Sequence, residues 1–268
     1  MRGIVHLFAD SVVIAKRNVI KIKRVPEVLV FVLLSPIMFV LLFAYVFGGS
    51  INIPGGSYRE FLIAGIFAQT VVFGSTFTGV GIAEDIQKGI IDRFRSLPMS
   101  QAAVLVGRTA SDMVYNLLSL LIMGLTGLVV GWRINSSLWE GVVGFGLLLA
   151  FAYAFSWVMA FVGLLVPSVE VINNASFMVI FPLTFIANTF VPSENLPGVL
   201  RAFAEWNPIS ALTQAVRDLF GNIPSSAPDP TVWPLQNPVI YTLIWAAVII
   251  TIFAPLAVLR YQKAVKQG

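Results

Sequence analysis

The chain has 268 residues, of which 57% are apolar and only 11% charged, with a net charge of +4, one histidine and no cysteine. Soluble domains carry roughly a quarter charged residues, so a standard soluble enzyme is excluded, as are disulfide frameworks, thiolate metal sites and cysteine nucleophiles. The basic excess reports orientation in a membrane rather than a nucleic-acid partner.

In residues 1–27, Ile4, Phe8, Val12, Ala15, Val19 and Ile22 recur at intervals of four and three, with Asp10, Arg17, Lys21 and Arg24 opposite. This predicts an amphipathic helix whose basic face favours the cytoplasmic headgroup layer over the membrane core. The alternative is a leader helix packed on another soluble surface. Apolar runs follow at 28–47, 61–83, 104–130, 142–166, 171–191 and 239–259. Each reaches the roughly 20 residues that a helix needs to cross hydrocarbon. The expected fold is an all-α membrane protein with six transmembrane helices over 28–259, an N-terminal interfacial helix and outer re-entrant helices. Pro36, Pro182 and Pro255 fall inside the runs and read as kinks that neighbouring helices re-satisfy.

Basic residues set the direction. Six lie in the leader, four between Lys88 and Arg108, and three (Arg260, Lys263, Lys266) in the tail at 260–268. The opposite side holds Arg59, Arg133, Arg201 and Arg217. Positive residues near short loops stay inside, so both termini are expected in the cytoplasm.

Three connecting segments carry pattern. EDIQKGIIDRFRSLPMS begins at Glu84 and is too polar for lipid. On a helix its Ile86, Ile90 and Phe94 share a face with Leu97, and Pro98 ends it, giving an expected element at about 84–98. It reads either as a solvated turn or as a docking helix for a soluble partner. Arg108 and Asp112, four apart, can pair on one helix face. Glu170 follows Pro167 in the tight turn between the fourth and fifth runs. On the other side, the stretch at about 192–220 has a helix start at Asn207 with Pro208 in the first helical position. Residues 221–238 are rich in turn formers and are expected to be irregular, with Trp206 and Trp233 as interfacial anchors.

With His6 the single histidine, no Ser–His dyad, His–carboxylate pair or His-based metal site can form inside the membrane. The chain has no G-x-x-x-x-G-K-[ST] phosphate loop, so any ATP energy would have to come from a partner. An ion-coupled secondary transporter is the alternative, although no mid-membrane carboxylate is evident for it. A lipid-modifying enzyme is disfavoured by the missing histidines and carboxylate pairs. In the fifth run Asn174, Phe177, Phe181, Phe185 and Asn188 form one stripe, and in the second Gln69, Phe73, Phe77 and Val80 another. Such stripes serve helix packing or a pathway. As a pathway, phenylalanine with sparse amides suits an amphiphilic cargo.

These pieces together resemble the permease subunit of the type-2 ABC exporters, close to the daunorubicin-resistance drug and lipid exporter branch. The match rests on Glu84, Gly89, Leu97, Pro98, Ser100 and Arg108, on LPGVLRAFAEWNPISALTQAVRDLF, and on the order of elements. The resemblance implies two permeases, identical or related, facing each other on two ATP-binding cassette subunits that hold ATP and Mg. It implies a bacterial or archaeal plasma membrane, contact with membrane lipids, and no cofactor, metal or nucleic acid on this chain. It casts Glu84, Asp85, Gln87, Lys88, Gly89, Arg93, Arg95 and Pro98 as a coupling helix and Glu170 as a second contact. The cargo pathway would run between the second and fifth spans, past Gln69, Phe73, Phe77, Asn174, Phe177, Phe181 and Phe185.

Overall fold

A computed structural model describes residues 10–20, 26–47, 55–90, 101–166, 168–225 and 227–267. Among these the chain is helices joined by turns and loops, without strands. The elements are α1 (10–20), α2 (Pro26–Leu42, continued as a π turn Phe43–Phe47), α3 (Tyr58–Gly74), α4 (Thr76–Gln87), α5 (Gln101–Val130), α6 (Leu138–Leu165), α7 (Val169–Phe185), α8 (Gly198–Trp206), α9 (Pro208–Phe220), α10 (Trp233–Gln236) and α11 (Pro238–Gln267).

Four apolar segments among the described residues are long enough to cross a membrane: Tyr58–Gln87, Ala102–Val130, Leu138–Leu165 and Pro238–Lys263. Leu34–Val46 and Val169–Phe185 are shorter apolar helices. The second of the six apolar runs is broken. At Ser75 the helix is interrupted between α3 and α4, and Ser75 Oγ lies 2.8 Å from the Val71 carbonyl and 3.1 Å from the Ala152 carbonyl of α6. A serine that bonds back to its own preceding turn commonly bends a helix. Here it also fastens the bend to a neighbour. Pro36, Pro182 and Pro255 lie inside α2, α7 and α11.

Local chemistry explains the ends. Ser137 and Glu140 form a reciprocal capping box at the start of α6, with Glu140 N donating to Ser137 Oγ at 3.2 Å and Ser137 N to Glu140 Oε2 at 2.9 Å. Asn207 caps α9 through Ile209 N at 2.9 Å, with Pro208 following it as expected. Gly221 closes α9 at φ 66°, the left-handed conformation that glycine adopts without penalty.

Helix α6 is the axis of the bundle, packing on α3, α4, α5, α9 and α11. It lies close against α4, where small residues let the backbones touch. A β-carbon at Gly163 would lie 2.6 Å from the Gly79 carbonyl oxygen, and one at Gly79 2.8 Å from that of Met159. Gly163→Val is therefore expected to force α4 from α6 and destabilise the protein by about 1–3 kcal/mol. The check is a lowered thermal unfolding midpoint in detergent, against little change for Gly146→Val, whose surroundings are open.

Candidate functional site

One end of the bundle gathers its charges around the last turn of α4. Lys88 N and Gly89 N donate to the Glu84 and Ile86 carbonyls at 3.0 Å, and Gly89 sits at φ 63°, so the helix stops there and the chain turns. Lys88 pairs with Glu84 at 3.3 Å, and both Gln87 and Lys88 are exposed. Asp85 instead turns inward and is almost buried. Arg17 of α1 reaches it at 3.1 Å, while Asn18 Nδ2 donates to Ser111 Oγ of α5 at 3.2 Å. Ile14 packs over Gly107, where any β-carbon would meet it. α1 thus clasps both α4 and α5, leaving a cleft of about 610 Å3 lined by Val13, Arg17, Ile20, Asp85, Lys88 and Ile90. Sequence reasoning placed Arg17 on a polar face but assigned it no partner. Of the expected coupling residues, Glu84, Asp85, Gln87, Lys88 and Gly89 share this turn. Arg93, Arg95 and Pro98 lie outside the described residues. Glu170 is exposed in the first turn of α7, which Ser168 Oγ caps through Val171 N.

One layer deeper, the Arg108–Asp112 pair forms at 3.3 Å. Arg108 Nη2 also donates to the Phe77 carbonyl at 2.9 Å, and Thr78 Oγ1 to Asp112 Oδ2 at 2.6 Å. The guanidinium can lie there because its neighbour on α4 is Gly81, where a β-carbon would overlap it. Asp112 is 1% exposed and its Oδ1 is without a partner, as is the Oδ1 of Asn116 one turn on. Buried polar groups in apolar surroundings hold helices in fixed register. This one locks α4, and with it the Glu84–Gly89 turn, to α5.

The phenylalanine stripes meet. Rings run Phe73–Phe177 (6.2 Å), Phe177–Phe181 (4.9 Å), Phe181–Phe185 (4.0 Å), Phe185–Phe190 (4.7 Å), Phe190–Phe43 (4.8 Å) and Phe43–Phe39 (5.2 Å). The ladder thus joins α3, α7 and α2. Apart from the closer Phe181–Phe185 pair, these spacings suit offset or tilted ring contacts. Its outer edge is open: Phe177 is 56% exposed, and Asn174, Met178 and Phe181 are exposed beside it. Two expected members sit elsewhere. Gln69 is buried in the bundle with its Oε1 unpaired, and Phe77 stacks on Tyr115 at 6.0 Å. Phe39, Phe43 and Phe190 were missed in the sequence, since nothing local ties those runs together.

At the opposite end, Arg217 of α9 is 1% exposed and spends its donors on main-chain oxygens: Nε on Phe61 at 3.0 Å, and Nη2 on Asn188 at 2.8 Å and Thr189 at 3.1 Å. Its guanidinium lies 3.4 Å over the Phe61 ring. Burial lowers it to about 9, so it remains cationic at neutral pH, while Asp218 beside it is raised to about 6 by desolvation. Arg217 therefore pins α9 to the start of α3 and to the turn that follows α7.

A bundle built on helices long and apolar enough to cross a membrane is that of a membrane protein. The family profile described as "ABC-2 type transporter" matches residues 11–220, and the chain belongs to that family. It is 35% identical over 204 residues to the "Daunorubicin resistance ABC transporter permease protein DrrB1" of Streptomyces coeruleorubidus, covering 76% of this chain and 72% of that protein. It is 22% identical over 231 residues to the "Probable doxorubicin resistance ABC transporter permease protein DrrC" of Mycobacterium tuberculosis, covering 85% and 79%. A "Putative transport permease ycf38" of Cyanophora paradoxa is 23% identical over 216 residues, covering 78% and 73%.

Proposed function

We propose that this permease exports an amphiphilic, drug-like or lipid molecule, powered by ATP and Mg held on two separate cassette subunits. In this reading the six apolar helical segments all cross a bacterial or archaeal plasma membrane, and both termini are cytoplasmic. A second permease, identical or related, faces the open side of α7. Work enters through Glu84, Asp85, Gln87, Lys88 and Gly89, continues into the chain carrying Arg93, Arg95 and Pro98, and finds a smaller contact at Glu170. Cassette closure can shift the permease only through surfaces that differ between its states. The Thr78–Asp112 and Arg108–Phe77 hydrogen bonds, with Arg17–Asp85 and Asn18–Ser111 through α1, give such a displacement a route from the surface turn into α5.

The observation that carries the cargo class is the ladder. A lipid-facing surface asks only for apolarity, whereas rings stacked in sequence over three helices, open on one edge and flanked by Asn174, offer a continuous track for flat apolar bodies with a polar end. The relatives named for daunorubicin and doxorubicin resistance support the same class. The test is ATP-dependent uptake of an amphiphilic dye into inverted vesicles that contain this chain and its cassette subunit. Phe177→Ala combined with Phe181→Ala, both exposed, is expected to reduce uptake roughly five-fold or more, as for loss of aromatic contact worth about 1 kcal/mol in all. Unchanged uptake in a folded double variant removes the ladder from the pathway.

A further inference from the structure

The transport reading gives Tyr261, near the end of α11, no task. The residue is 2% exposed and belongs to an apolar cluster with Ile82 of α4, Leu105 of α5 and Leu164 of α6. Its hydroxyl nevertheless has no hydrogen-bond partner among the described residues. A buried polar group left unpaired carries the full penalty of leaving water. If ring packing were all that the position required, phenylalanine would serve it better.

Tyr261 lines a small cavity on which four helices converge: α1 brings Asn18, α4 brings Asp85, α5 brings Arg108 and α11 brings Tyr261 itself. Its volume is about 10 Å3, roughly what one water molecule needs. Apart from Arg108, no residue of its wall is more than 8% exposed. The Tyr261 hydroxyl lies within electrostatic reach of both Asp85 and Arg17. Asp85 gives Oδ2 to Arg17 and keeps Oδ1 as an acceptor. Charge then decides what the cavity can hold. Arg17 is paired with Asp85 at 3.1 Å and Arg108 with Asp112 at 3.3 Å, so the surroundings are balanced and favour neither a cation nor an anion. A neutral molecule that both donates and accepts suits the site, and the volume limits it to water.

We infer that this cavity holds one ordered water, which accepts from the Tyr261 hydroxyl and donates to Asp85 Oδ1, so that α11 joins α1 and α5 in holding the end of α4. A bridging water is enthalpically nearly as good as a direct hydrogen bond. It satisfies the hydroxyl that the protein alone leaves unpaired, and it makes Tyr261 a positioning residue for the Glu84–Gly89 turn. That role in coupling rests on the export reading. The water itself does not.

The test is the sign of one change, Tyr261→Phe, on the thermal unfolding midpoint of the permease alone in detergent. The substitution keeps the ring and removes only the hydroxyl. A bridged hydroxyl predicts a fall of about 2–4 °C, as for the loss of one hydrogen bond in a chain of this size. An orphaned hydroxyl predicts no change or a rise, because its burial penalty disappears with it. In an Asp85→Asn background the fall is expected to shrink, since the water then meets a neutral amide in place of a carboxylate. An equal fall in both backgrounds overturns Asp85 as the second end of the bridge, and a raised or parent-like midpoint overturns the water. In vesicles that contain the cassette subunit, Tyr261→Phe is expected to raise the ATP hydrolysed per molecule of dye moved by roughly two-fold or more. An unchanged ratio beside a lowered midpoint overturns the positioning role. A parent complex that moves no dye counts against the export reading, while the midpoint still decides the water.

Discussion

Arg217→Met is expected to destabilise the protein by roughly 2 kcal/mol or more, because it strips the donors from the buried carbonyls of Asn188 and Thr189, each orphaned acceptor costing about 1–3 kcal/mol, and takes the second bond from that of Phe61, which keeps its helical partner. The cation over the Phe61 ring is lost as well. Relief of guanidinium burial offsets part of this, which is why the expected total lies near the low end of the sum. The damage should be local first. α9 would detach from the start of α3, and Gly65, whose bare α-carbon lets the Thr189 carbonyl sit against it, would lose that neighbour. Limited proteolysis should cut the 186–230 region in the variant before any crossing helix, and the thermal midpoint should fall. Arg217→Lys keeps the charge but cannot reach three oxygens with a planar fork, so it should fall between. A parent-like midpoint for the methionine variant would mean that the arginine is not the pin described.

Gly89→Val is expected to separate ATP hydrolysis from transport. The residue lies at φ 63°, where a side chain costs roughly 1–2 kcal/mol and β-branched residues fit worst. That sum is small against the stability of the bundle, so the permease should fold. The strain is relieved by distorting the turn at Gly89, and the expected result is transport reduced about ten-fold, the equivalent of 1.4 kcal/mol of misdirected coupling, with basal ATPase activity kept. Gly89→Asn is the control, since asparagine enters the left-handed region more readily and should keep most transport. Equal transport by the valine and asparagine variants would detach function from the turn.

Much of this molecule can be read from short-range pattern. Asn207–Pro208 announces its helix because capping is local, and Arg108 finds Asp112 because four residues make one helical turn. The phenylalanine stripes are visible for the same reason, and Phe177, Phe181 and Phe185 do stack. Legibility ends where distant segments meet. The Ser75 break hides inside an unbroken apolar run, and the Ala152 carbonyl that fastens it belongs to another helix. Arg17 looks like any basic residue on a polar face until Asp85, 68 positions away, closes on it. Arg217 counts in the sequence merely as a positive charge on the outer side, and only the fold makes it a buried pin. Gln69 shows the converse failure. Its spacing from Phe73 suggests one shared stripe, yet it faces the interior of the bundle.

The natural chain has no cysteine, so a single introduced thiol reports one position cleanly. The most direct test of work entering through the α4 turn is Lys88→Cys in membranes that contain the cassette subunit, treated with a short bifunctional cross-linker. A covalent product between position 88 and the cassette subunit, protected from membrane-impermeant maleimide in intact cells, is the predicted result, with Trp139→Cys labelled from outside and giving no such product. Labelling of position 88 from outside the cell, or its failure to reach the cassette subunit while Trp139→Cys succeeds, would contradict the account.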